Sequence, residues 1–164
     1  MTILQDFTSA DEIRAVLGVV PEELEDQTLE LGIYLSQLQF DLADVSPTLE
    51  SSYLAIKDLE ASSRTAVQQK LFNVTSVYSS YFVSRLLLTS LPVFAPKQIT
   101  DGKASKVRVD DPFSRVKEGV EAQYLVLRSR LLAALTATGV SVSAEISRRY
   151  VGSAGLSSSP VTNV

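Results

Sequence analysis

Apolar residues spaced at threes and fours, cut into blocks by proline and glycine, constrain this chain more than any other feature. Phe113, Val116, Val120, Tyr124, Leu127, Leu131 and Leu135 form one such stripe. It is bounded by Asp111-Pro112, an N-cap followed by proline at the first helical position, and by Gly139, a left-handed stop. A stripe of this period is the buried face of an amphipathic helix, about 40 Å long at 1.5 Å per residue. Upstream, Val67, Leu71, Val74, Tyr78, Tyr81 and Phe82 carry the same period toward Leu91, where Pro92 and Pro96 are expected to end it. The aromatics Phe72, Tyr78, Tyr81 and Phe82 read as bundle interior, capped by Phe94.

The amino-terminal half divides in the same way. Ser9 and Glu12 have the spacing of a capping box; Ile13, Val16 and Leu17 then share a face, and Gly18 closes a two-turn helix. Pro21 restarts the chain beside Glu22, Glu23, Glu25 and Asp26, acids favourable at a positive helix end. Leu24, Leu31, Leu35, Leu38, Leu42 and Val45 predict one amphipathic helix ending before Pro47. Leu49, Tyr53, Ile56 and Leu59 continue the period, and the polar Ala61-Ser62-Ser63 predicts a break before the long Val67–Leu91 pattern. Between Lys97 and Val109, Asp101-Gly102 is a tight-turn dipeptide flanked by Ile99-Thr100 and Val107-Arg108-Val109, so a loop or small hairpin is expected.

The fold class read from this pattern is all-α: an elongated bundle of about four helices, with a short loop or hairpin near 97–110 and an extended C-terminal arm. Residues 1–139 form the helical domain. Residues 140–164 form the arm, because the helical period is lost there among serines, Gly152, Gly155 and Pro160. At 164 residues the chain is long enough to bury a core without disulfides or metals. No apolar run reaches the roughly 20 residues that span a bilayer, so no membrane association is expected. The start, Met1 to Ala10, contains Asp6 and lacks a basic flank, so no signal peptide is read there, and the Asn73-Val74-Thr75 sequon is expected to stay unglycosylated.

With no His and no Cys, the chain has neither Cys/His zinc sites nor thiol nucleophiles nor histidine triads. Neither a phosphate-loop motif nor a dinucleotide fingerprint is present, so Asp101-Gly102-Lys103 reads as a turn with a lysine beside it. Asp111 is explained as an N-cap, and Asp110 and Asp101 alone offer too few oxygens for a hard cation. The expectation is therefore no enzyme, no cofactor and no metal. Charge points instead to assembly. Residues 1–50 hold eleven acidic groups and one arginine, a net −10, whereas residues 51–164 hold fourteen basic and eight acidic groups, a net +6. Two faces of opposite sign suit head-to-tail contacts between copies, or nucleic acid beside the basic part. Lys97, Lys103, Lys106 and Arg108 concentrate in the central loop without interleaved aromatics, which suits phosphate contact without base stacking. Arg148, Arg149 and Tyr150 are residue types enriched as interface anchors, and they lie on the arm.

The segment from Ser9 to Gly18 followed by Pro21-Glu-Glu-Leu24 resembles the start of head-to-tail adaptor (connector) proteins of tailed bacteriophages. Pro96 to Ser105, followed by Asp110-Asp-Pro-Phe113 and a terminal long helix, is similar to their loop-then-helix segment. The resemblance spans about residues 5 to 139. It implies a helical adaptor that forms a twelve-fold homo-oligomeric ring below the portal protein, in the virion neck, after synthesis in the host cytoplasm. It further implies that Arg148, Arg149 and Tyr150 sit on a portal-binding arm. Lys97, Lys103, Lys106 and Arg108 would then face the channel or the next tail or nozzle component, meeting passing double-stranded DNA without sequence specificity. Two other classes stay open from the residues alone: a scaffolding or assembly chaperone that uses a helical bundle to hold a client protein, and an enzyme of unknown type that uses Asp or Glu and a metal.

Overall fold

A computed structural model describes the backbone of residues 3–94, 98–101, 104–107, 114–140 and 142, and the side chains of 4–89, 114–140 and 142. Among these residues the chain is predominantly helical. A 3-10 turn at Ile3–Asp6 leads into α1 (Ala10–Leu17), α2 (Asp26–Leu29), α3 (Gly32–Val45), α4 (Leu49–Lys57), a second 3-10 turn at Ala61–Ser63, α5 (Ala66–Phe94) and, after two short strands, α6 (Ser114–Thr138).

The scaffold is α5 packed antiparallel on α6: Leu71 and Ala137 line the same cleft, and Arg85 meets Glu121. The expected stripe on α6 is the buried one, with Val120, Tyr124, Leu127, Leu131 and Leu135 in the core and Val116 packed beside them. α1, α3 and α4 cover α5 on its other sides. Leu38, Leu42 and Val45 from α3 and Leu49, Tyr53 and Ile56 from α4 complete the interior. Two aromatic clusters fill it. Phe7, Tyr53 and Phe72 stack in series at centroid distances of 5.2 and 5.1 Å, ending under the Arg64 guanidinium. Tyr78, Phe82 and Tyr124 form the second, where α5 faces α6.

The helix ends follow local chemistry. Ser9 and Glu12 make both hydrogen bonds of the capping box. Gly18 and Gly139 stand at φ +68° and +74°, and Val19 and Val140 donate to Arg14 O and Leu135 O, the six-residue closure of a Schellman turn. The break at Ala61–Ser63 is present, and a second capping box restarts the chain there: Gln68 N–H donates to Thr65 Oγ1 while Thr65 N–H donates to Gln68 Oε1. The pair Thr65-x-x-Gln68 carries that signal in the sequence.

Three expectations require correction. The helix read from Pro21 to Val45 is two helices. Arg14 takes the Leu24 carbonyl through Nε and Nη2 at 2.9 and 2.8 Å, so Thr28 N–H turns to Glu25 O and the ladder starts late. Separately, Glu30 N–H closes α2 on Asp26 O and Tyr34 N–H turns to Leu31 O as α3 opens, so Leu31 lies between the helices and is exposed, while Leu29 takes the buried place. Leu59 and Val67, read as stripe residues, are also exposed, because they flank the break where the helical face is lost. Finally, α5 passes through Pro92 and ends at Phe94. A proline in the last turn removes one hydrogen bond without stopping the helix at once. The N-cap role read for Asp111 lies outside the described residues, as does the side chain of Phe94.

Candidate interaction surfaces

The central loop contains an antiparallel hairpin. β1 (Gln98–Asp101) pairs with β2 (Ala104–Val107) in the register Gln98↔Val107, Ile99↔Lys106, Thr100↔Ser105, Asp101↔Ala104. Only Gly102 and Lys103 separate the strands in sequence, so Asp101 belongs to β1 and the two-residue connection is Gly-Lys rather than the Asp-Gly read as the turn. Of the four cations singled out, Lys106 lies on β2 opposite Ile99. Lys97, Lys103 and Arg108 lie outside the described residues, as do Arg148, Arg149 and Tyr150. Val140 and Val142, the last described residues, still pack against the core. Val140 also lines a cleft of about 430 Å³ together with residues that include Ile56, Gln68, Leu71 and Ala137.

A polar chain that the periodicity hides crosses the bundle. Tyr78 on α5 donates to the Asp41 carboxylate on α3. Its hydroxyl lies 3.2 Å from that of Tyr124, and Arg128 Nη1 donates to Tyr124 at 3.3 Å. A phenol has one proton, so with Tyr78 committed to Asp41, Tyr124 donates to Tyr78. Donation runs from Arg128 to Tyr124 to Tyr78, and Asp41 accepts at the end, so a cation and an anion are joined through two buried phenols. Burial pushes the Asp41 carboxyl above its ordinary value, against the opposing pull of the Tyr78 hydrogen bond and the Arg128 charge. Burial beside that carboxylate pushes Tyr78 far up, so it stays neutral, and Tyr53 is pushed up to about 12 by its own burial. Arg85 flanks the chain, 4.7 Å above the Tyr124 ring and 2.5 Å from Glu121. This arrangement fixes α3 and α6 on α5; it presents no activated nucleophile.

Elsewhere, Lys57 ties α4 to Asp6 at 2.6 Å, and Arg14 is buried beneath Asp11 and Asp26. Among the described residues no group of three or more acidic side chains is placed to hold a metal ion, and no helix is long and apolar enough to cross a membrane.

The outer faces of α3 and α6 carry what the inward stripes do not. On α3, Ile33 and Phe40 stand one above the other, 58% and 73% exposed. On α6, Leu125 and Val126 are 56% and 42% exposed. Near the start of α6 a groove of about 320 Å³ opens between Val16, Tyr81, Val116, Gly119, Val120 and Gln123. The signal for the α3 face is readable in the sequence as a second apolar pair, Ile33 and Phe40, seven residues apart and out of phase with Leu38 and Leu42.

No family model, curated protein or solved structure matches this chain.

Proposed function

We propose that the protein is a structural ring component of a tailed-phage neck, joining the portal to the tail and lining the DNA channel. The observation that carries this reading is the hairpin β1–β2 set between the long packed helices α5 and α6. It falls on the loop-then-helix segment through which the chain resembles head-to-tail adaptors. A hairpin inserted in sequence between two long helices suits a basic loop that lines a channel or meets the next ring. The charge division supports the same reading, since a ring closes only when one face of a subunit fits a different face of the next. In this reading the elongated helical body builds the ring, residues 140–164 are the arm that reaches the portal through Arg148, Arg149 and Tyr150, and Lys97, Lys103, Lys106 and Arg108 face the lumen or the nozzle. The protein acts in the virion, without catalysis, after synthesis in the host cytoplasm.

Negative-stain imaging of the purified protein, alone and mixed with a portal, tests the proposal. Twelve-fold rings stacked on the portal are expected, and replacing Arg148, Arg149 and Tyr150 by alanine should reduce that stacking while leaving helical content unchanged. A chain that ignores the portal and instead holds a client protein in solution would establish the chaperone reading in its place.

A further inference from the structure

We infer that the outer face of α3 of one copy packs antiparallel on the outer face of α6 of a second copy; this names the subunit contact of the proposed ring and rests on that reading. Ile33 and Phe40 are separated by seven residues, and so are Gly119 and Val126. Each pair therefore spans about 10 Å along its helix axis. Phe40, the most exposed large apolar side chain described, is a knob without a hole in its own subunit. The groove of about 320 Å³ beside Gly119 is a hole without a knob. With Phe40 seated there and the helices antiparallel, Ile33 falls on Val126 and Leu125.

Charge complementarity suits the same register. Asp44 lies one turn beyond Phe40, and Arg115 lies one turn before Gly119, so the antiparallel arrangement sets them opposite each other. At the other end Glu30 precedes Ile33 and Arg130 follows Val126, and they too are set opposite. All four charged residues are exposed, and none forms an ion pair with another of the described residues. A parallel arrangement in the same apolar register would also pair the charges, Asp44 with Arg130 and Glu30 with Arg115, but it would set the smaller Ile33 at the groove and bring Phe40, the more exposed knob, onto Val126. The contact joins two different faces, so it propagates from copy to copy as a ring requires.

The cysteine-free chain makes the test direct. A chain carrying both Phe40→Cys and Gly119→Cys should give a covalent ladder on mild oxidation, reversed by reductant, whereas either single variant should run as a monomer. Neither change disturbs the fold on its own account, since Phe40 is exposed and a Cβ at Gly119 meets nothing within 4 Å. Asp44→Arg and Arg115→Asp should each diminish the ladder at least several-fold in that background, and combining them should restore it. A single variant that dimerises, or a pairing of Phe40→Cys with Val77→Cys on α5 that ladders as well, would overturn the inference. Native mass spectrometry of the unmodified protein separates the two levels. Rings without a ladder reject this contact and keep the ring; a ladder without rings keeps the contact and rejects the ring; absence of both rejects both.

Discussion

Thr75 lies fully buried in α5, and its hydroxyl has no hydrogen-bond partner among the described residues. The neighbouring hydroxyls of Ser79 and Ser80 are satisfied, donating back to the carbonyls of Thr75 and Ser76. An unsatisfied buried hydroxyl carries its desolvation penalty with nothing to offset it, whereas a methyl of the same shape carries none. Thr75→Val is therefore expected to raise stability by about 1 kcal/mol, seen as a higher urea midpoint at unchanged slope; a loss would show that the hydroxyl has a partner after all. Asp41 offers a pH test. Its folded-state carboxyl is held above the ordinary 3.8, chiefly by burial, so the folded protein keeps that proton to higher pH than the unfolded chain. In that window the folded state binds more protons, and stability falls as pH rises through it. Asp41→Asn removes the titration and keeps an acceptor for Tyr78. Its stability relative to the native chain should therefore improve from just below pH 3.8 toward neutrality, and a difference that stays flat across that range would contradict the assigned shift.

Among the elements, α2 and α3 show what sequence periodicity conveys and what it omits. The stripe Leu38, Leu42, Val45 was legible because burial along one helix face imposes its period on the sequence, and all three are core. The late start at Asp26 was not, because its cause lies on another element. Arg14, on α1, is almost completely buried and captures the carbonyl of Leu24 in a forked contact, with Asp26 completing its charge. No local propensity encodes a side chain arriving from ten residues upstream. The same reasoning covers the Arg128–Tyr124–Tyr78–Asp41 chain: each residue reads as an ordinary stripe or surface position, and only the packing of three helices brings them together. Gly18, Gly139 and the break at Ala61–Ser63 were legible because cap and turn chemistry is local. The forked contact also predicts its own fragility. Arg14→Met should cost about 2 kcal/mol, the scale of hydrogen bonds from a charged donor. Arg14→Lys should recover less than half of that, because an ammonium cannot present two donors in one plane. Urea titrations of the two variants decide this, and a lysine variant as stable as the native chain would remove planarity from the argument.

For the whole molecule, the division of charge is the property that the sequence states most openly and that single contacts do not exhaust. The acidic amino-terminal part supplies Glu30 and Asp44 to one exposed face, and α6 supplies Arg115 and Arg130 to another. Four further cations, Lys97, Lys103, Lys106 and Arg108, cluster in the segment that joins α5 to α6, with Lys106 on β2 and Lys103 at the hairpin connection in sequence. If this hairpin meets DNA in the channel, its action is through phosphates, for β1 and β2 contain no aromatic residue to stack on bases. Phosphate contacts release counterions, so each one lost should lower the magnitude of the logarithmic salt slope by about 0.9. Replacing Lys103, Lys106 and Arg108 by glutamine should accordingly flatten the salt dependence of DNA retention by the assembled protein, equally for unrelated sequences. Binding of the native protein should itself be weak at physiological salt, because a channel that holds its cargo tightly slows its passage. Ring formation, as read by native mass, should be unaffected, since none of the three cations belongs to the α3 or α6 faces. Identical salt slopes for the triple variant and the native protein would leave these cations as solvated charges, with no part in the channel.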